Sequence, residues 1–145
     1  MSIEANKEIV RRYFEEAVDQ GRVDILEELF TPDCIIHRPE AQEPLKGLEG
    51  IRGVITGVAD KYSDFKTTIY DLIGEGDHVV ARLSHRAVQR GEWKSRIGRH
   101  SVDGKRVNWQ AIAIFQIKDG KISEEWVCRD ELGMLIQLGV IQIDG

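Results

Sequence analysis

Trp126, Cys128 and Asp130 alternate near the end of the sequence, within Ile122-Ser123-Glu124-Glu125-Trp126-Val127-Cys128-Arg129-Asp130. Residues two apart on a strand point to the same face, so these three could share one. A carboxyl beside an indole at a strand end suits general acid/base work. An apolar wall penalises the anion and moves its pKa toward neutrality. Asp130 also directly precedes a helical stretch and could instead cap it by accepting backbone N–H bonds. The two roles oppose each other. A helix N-terminus favours the anion by up to about 1 kcal/mol, whereas full burial raises a carboxyl pKa by up to about 3–5 units. A dry pocket therefore makes Asp130 a proton carrier, and a wet one leaves an ordinary acid. Cys128 has no base beside it in the sequence and is not read as a nucleophile.

Other side chains could complete such a site. His37 ends a short apolar run before Arg38-Pro39; it could reach a cavity or simply bond a loop backbone. His85 shares a strand face with Val79, Ala81, Leu83 and Ala87, opposite Arg82, Ser84 and Arg86. That apolar company aims it inward if its face is the core one. His78 and His100 fall at a turn and a hairpin and are read as solvated. Trp109 and Trp126 are large walls for a flat ligand, and most tryptophans at such positions are also core. Gln110, with Asn108, takes the face opposite Trp109, and only one of these sets can look inward. Tyr13 and Phe14 belong to a first helix, as core or as cavity floor.

Those residues must be held by elements the patterning predicts. Ile9, Val10, Tyr13, Phe14, Ala17 and Val18 recur at helical spacing up to Gly21. A short second helix carries Leu26, Leu29 and Phe30, and Thr31-Pro32-Asp33 breaks it. Cys34–His37 reads as a strand. A third helix follows Gly47, with Ile51, Val54, Ile55 and Val58 buried. Strands then span Phe65–Ile73, His78–Gln89, Trp93–Arg99 approximately, Val107–Ile117 and Lys121–Arg129, separated by Gly74-Glu75-Gly76-Asp77 and Asp119-Gly120 turns. A helix over Glu131–Leu138 closes the chain. Helices first and strands after, without alternation, predict an α+β fold with a mainly antiparallel sheet. Ala111-Ile112-Ala113-Ile114-Phe115 is apolar on both faces. One face meets helices; the other lines a pocket or meets a partner, which predicts a homodimer through the open sheet face.

The 145 residues suit one domain over 1–145, large enough for a core and an internal pocket. A formal charge of −5 with scattered basic residues argues against nucleic acid; Lys94, Arg96, Arg99, Lys105 and Arg106 read as a solvated hairpin. No apolar run suits a membrane helix, and Met1-Ser2-Ile3-Glu4 lacks signal-peptide features. Two cysteines without a disulfide framework complete the expectation of a cytoplasmic protein. No metal-ligand spacing and no phosphate loop is present in the sequence, so neither metal nor cofactor is expected.

The order of pieces resembles a known family. Val10-Arg11-Arg12-Tyr13-Phe14-Glu15-Glu16, Phe30-Thr31-Pro32-Asp33-Cys34-Ile35-Ile36-His37, Gly47-Leu48-Glu49-Gly50-Ile51, Gly76-Asp77-His78-Val79-Val80-Ala81-Arg82 and the closing Asp119–Trp126 run with Asp130 and Gln137-Leu138-Gly139 are similar to the SnoaL-like polyketide cyclases of the nuclear-transport-factor-2-like, or cystatin-like, superfamily. The resemblance spans nearly the whole chain. It implies a cone-shaped barrel, a curved sheet wrapped around the N-terminal helices. It also implies a cofactor-independent intramolecular aldol ring closure of a small hydrophobic, polyketide-like molecule. In that reading Asp130 is the single acid/base, His85 or His37 holds the enolate oxygen, and Trp109, Trp126, Gln110, Tyr13 and Phe14 bind substrate. Two other readings stay open on the same fold: an epoxide or ester hydrolase or an isomerase, the epoxide case calling for a second inward acid bridged by an arginine, and a non-catalytic small-molecule-binding module.

Overall fold

All helices but the last fall within the first 61 residues, with two short strands among them, and strands dominate thereafter. The computed structural model describes residues 2–95 and 97–144; Arg96, one of the basic residues assigned to the solvated hairpin, lies outside the described residues. Helix α1 (Ile3–Arg12) starts where the Ser2 hydroxyl accepts the Ala5 N–H at 3.1 Å. It continues as a π-helical segment, Tyr13–Val18, whose wider turns bury Tyr13, Phe14, Ala17 and Val18. Gly21, at φ +68°, lets the chain turn out of it. A 3₁₀ turn leads to α2 (Leu26–Leu29). β1 (Phe30–His37) begins earlier than the sequence suggests, because Thr31-Pro32-Asp33 is absorbed as an irregularity within the strand. β2 (Leu45–Lys46) and α3 (Gly47–Lys61) follow.

The strands β3 (Tyr62–Glu75), β4 (His78–Gln89), β7 (Arg106–Lys118) and β8 (Lys121–Arg129) form an antiparallel meander, with the β5 (Glu92–Ser95) and β6 (Gly98–Ser101) hairpin set apart from it. The sheet order is β2-β1-β8-β7-β4-β3, with only β1 and β8 parallel. This is the α+β architecture expected, a curved sheet wrapped on α1 and α3; the sheet stays open and does not close into a barrel. α4 (Glu131–Gln137) seals one end. No helix is long and apolar enough to cross a membrane among the described residues.

Strict alternation on β7 sorts its two faces. Val107, Trp109, Ala111, Ala113, Phe115 and Ile117 are buried, while Ile112 and Ile114 stay 54% and 40% exposed on the outer face. Two apolar clusters result. One joins the π-helical segment to the sheet through Tyr13, Phe14 and Phe115. The other gathers Tyr62, Trp93, Trp109, Met134 and Leu138 near α4.

Alternation on β8 is interrupted, and that decides which side chains face inward. Gln116 pairs with Glu124 but its neighbour Ile117 pairs with Ile122, so Ser123 is an extra residue, its hydroxyl donating to the Gln116 carbonyl at 3.2 Å. One inserted residue exchanges the faces of everything after it. Ile122 is buried, and beyond the bulge it is Glu125, Val127 and Arg129 that turn inward.

Candidate functional site

Between the π-helical segment, α3 and the concave sheet lies a cavity of about 460 Å³. Tyr13 and Phe14 form its helical wall, His85 and Trp109 its sheet wall, and Glu125, Arg38 and Arg129 supply charge. The volume falls within the roughly 300–1,000 Å³ typical of small-molecule sites.

Glu125 is the unusual group. Its residue is 3% exposed and its Oε1 has no hydrogen-bond partner among the described residues. Burial raises its pKa from 4.5 to about 7, against the opposing pull of Arg38. Buried carboxyls are normally paired or hydrogen-bonded; this one leaves Oε1 buried and without a partner among the described residues, on a side chain of the cavity wall. Arg38 complements it with a buried Nε that also lacks a partner among the described residues. Tyr13 packs edge-on against Phe30 and Phe115, and burial together with Glu125 pushes its phenol well above the usual tyrosine range. Arg129 is ion-paired: its Nε lies 3.1 Å from Glu40, though without hydrogen-bond geometry, and its Nη2 donates to Glu131 at 3.4 Å.

His85 is caged by rings, with Phe65, Trp109 and Phe14 centroids at 4.8, 5.3 and 6.2 Å. Its Nδ1 lies 2.9 Å from the Thr67 hydroxyl, and that hydroxyl lies 2.6 Å from Asp19 Oδ1. Burial, then Arg129 and Arg38, lower its pKa from 6.5 to about 3, so the ring is neutral at ordinary pH.

The structure holds Asp130 elsewhere than expected. It is exposed at the head of α4, where its Oδ1 accepts the Gly133 N–H at 2.9 Å, so its observed role is the helix cap. Trp126 (37% exposed) and Cys128 share that outer side because the Ser123 bulge turned it outward. Gln110 is exposed as well, since Trp109 claims the inner face of β7. His37 also misses the cavity. It stacks on Trp126 at 5.4 Å and 9°, and its Nε2 lies 2.6 Å from Glu124, beside a separate recess of about 360 Å³. His85, Trp109, Tyr13 and Phe14 line the cavity. Sequence reasoning passed over Glu125, Arg38, Thr67 and Asp19. The signal for Glu125 was present in Ser123, a polar residue able to support a bulge between Ile122 and the acid.

Comparison with known proteins places the fold. A family profile described as SnoaL-like polyketide cyclase matches residues 8–138. TsrD from Streptomyces laurentii is 27% identical with a TM-score of 0.83, covering 97% of this chain and 99% of that one. IdmH from Streptomyces antibioticus, a proposed polyketide cyclase, is also 27% identical with a TM-score of 0.78, over 92% and 98% of the two chains. An LEH-like epoxide hydrolase from M. tuberculosis shares the fold alone, at 13% identity and a TM-score of 0.73 over 95% and 92% of the two chains. No match was found among curated proteins.

Proposed function

The chain belongs to the SnoaL-like polyketide cyclase family, and from that premise we propose that it closes a ring in a small polyketide-like molecule by intramolecular aldol addition, with Glu125 as the single proton carrier. The observation that supports this is a carboxyl buried, unpartnered on one oxygen and poised near neutrality inside a ligand-sized cavity. A general base works best with a pKa near the operating pH. Glu125 as carboxylate removes a proton from carbon flanked by two carbonyls. The enolate carbon then attacks a further ketone in the same molecule and forms the new C–C bond. Glu125, now protonated, returns its proton to the alkoxide. Atoms and charge balance without any added group, and the positive charge of Arg38 at the cavity wall favours the enolate oxygen.

The direct test follows cyclisation of nonane-2,4,8-trione, whose activated carbon can reach the distant ketone through a six-membered ring. Glu125→Gln is expected to lose about 10²–10⁴-fold in turnover, the usual worth of a general base. Asp130→Asn is expected to keep turnover. Activity that survives in Glu125→Gln and vanishes in Asp130→Asn overturns the assignment.

Hydrolysis of an epoxide or ester remains a second reading because one observation favours it. Glu40 and Arg129 pair at the cavity wall, giving a second acid and an arginine that could orient water. Incorporation of oxygen from labelled water into product would select this reading over ring closure.

We further propose that two copies associate through the outer sheet face. The residues needing cover are Ile112, Ile114 and Trp126, the alternates of the inward Ala111, Ala113 and Phe115. The unpaired Cys34 and Cys128 fit a reducing, cytoplasmic setting.

A further inference from the structure

Thr67 faces His85 directly across the β3–β4 ladder, and Asp19 follows the π-helical segment and closes on Thr67 from the helix side. The three side chains form a chain of two hydrogen bonds whose proton positions can be worked out. Asp19 Oδ2 lies 3.1 Å from the Thr67 backbone N–H, and Asp19 Oδ1 lies 2.6 Å from the Thr67 hydroxyl oxygen. The backbone N–H can only donate. An O···O separation of 2.6 Å matches a hydroxyl donating to a carboxylate, about 2.5–2.7 Å. Threonine has one hydroxyl proton, and Asp19 receives it. The 2.9 Å contact between Thr67 Oγ1 and His85 Nδ1 then needs its proton from the ring. A neutral imidazole carries one N–H, so Nε2 is left with a bare lone pair. Nε2 has no hydrogen-bond partner among the described residues, and the ring forms part of the cavity wall.

We propose that Asp19 and Thr67 lock His85 with its proton on Nδ1, so that Nε2 accepts a hydrogen bond from a phenolic or enolic hydroxyl of the ligand. This rests on the cavity being the substrate site and deepens that reading. It reverses the role expected from sequence, in which His85 donated to an enolate oxygen. The burial that keeps the ring neutral, reinforced by Arg38 and Arg129, preserves the lone pair rather than an imidazolium donor.

Register places this acceptor at a different level of the cavity from the proton carrier. His85 lies opposite Trp109 and Glu125 opposite Phe115 on β7. Six residues of strand separate those levels, and across the curved sheet Phe14 reaches both, its ring centroid 6.2 Å from His85 and 5.8 Å from Phe115. A ligand read by both groups carries an activated C–H on its Glu125 side and a hydroxyl on its His85 side. Thr67 and Asp19 are positioning residues in this arrangement, since they act through His85.

Nitrogen NMR of the imidazole side chains, with and without probe ligands, tests the proposal on the intact chain. The wild type is expected to show His85 as the Nδ1–H tautomer at neutral pH. Thr67→Val is expected to move it toward Nε2–H, and Thr67→Ser to retain the wild-type signature. The probe pair is 2-naphthol and 2-methoxynaphthalene, which differ in the hydroxyl donor. The naphthol is expected to shift the Nε2 resonance and to bind about five- to tenfold more tightly, the worth of one hydrogen bond. That preference should vanish in Thr67→Val. If that variant does not fold, the wild-type tautomer and the probe pair still decide. A wild-type Nε2–H tautomer or an imidazolium overturns the proposal, and so does failure of either probe to bind or equal binding without a change at His85. Glu125→Gln is expected to leave both tautomer and preference intact, so failure of the ring-closure reading and failure of this one are separable.

Discussion

Replacing Glu125 with glutamine should make the protein more stable, and the gain should depend on pH. In the folded chain this carboxyl ionises at about 7 against an ordinary value of 4.5. The group sheds its proton more readily once unfolded. Its contribution is therefore fully present below about pH 4.5 and is lost as pH rises through about 7. The loss accumulates at about 1.4 kcal/mol per pH unit across that window, about 3 kcal/mol in all. His85 acts oppositely. Its folded pKa of about 3 lies below 6.5, so its contribution is present above about pH 6.5 and is lost as pH falls through about 3. Between about pH 4.5 and 6.5 the two slopes oppose each other, and the wild type should look nearly flat there. Glutamine removes one slope and leaves the other. The comparison is made by urea unfolding of both proteins from about pH 4.5 to about pH 8. The stability of Glu125→Gln relative to wild type should increase by about 3 kcal/mol across that range, or roughly 6–12 °C in melting temperature for a domain of this size. A constant difference between the two proteins would refute a carboxyl that is both buried and ionised near neutrality.

The same carboxyl should govern catalysis, so kcat/KM for ring closure should rise with pH through about 7 and level off above it; a profile flat across that region removes Glu125 as the base. Asp130→Ala should cost about 1 kcal/mol of stability, the usual worth of an N-cap, while turnover stays within twofold or so of wild type. Urea unfolding and the triketone assay on one preparation check both halves. Ile112→Lys combined with Ile114→Lys should yield monomers in sedimentation while leaving the fold intact, because both side chains stand on the outer face; unchanged mass in the double variant would place any dimer contact elsewhere.

Periodicity exposed most of the fold to sequence reading. The limits of His78–Gln89 and Lys121–Arg129 follow from turn residues on either side, and the α3 stripe of Ile51 and Ile55 follows from helical spacing. β1 was harder, because Pro32 reads as a breaker and only tertiary pairing to β8 makes Phe30–His37 one strand. The inner face of β4 was legible because Val79, Ala81, Leu83 and Ala87 are uniformly apolar around His85. The relay behind His85 was not. Asp19 and Thr67 are 48 residues apart and meet only when the helix folds onto the sheet. Nothing in local composition marks such a pair.

The hardest residue to read was the acid that reaches the cavity wall. Counting by twos from the buried Ile122 carries an uninterrupted strand through Trp126 and Cys128 to Asp130, and would seat an acid next to an indole in the hollow. Ser123 inserts one residue, and the opposite set, Glu125, Val127 and Arg129, turns inward instead. The two acids then take environments that drive them apart. Asp130 gains a backbone donor at the head of α4 and stays exposed. Glu125 loses water without a hydrogen bond to Oε1 in return, and its pKa rises for that reason. A single bulged position thus selects which carboxyl caps α4 and which is buried at the cavity wall. Register, more than the presence of an acid in the motif, sets which acid the cavity wall of this chain carries.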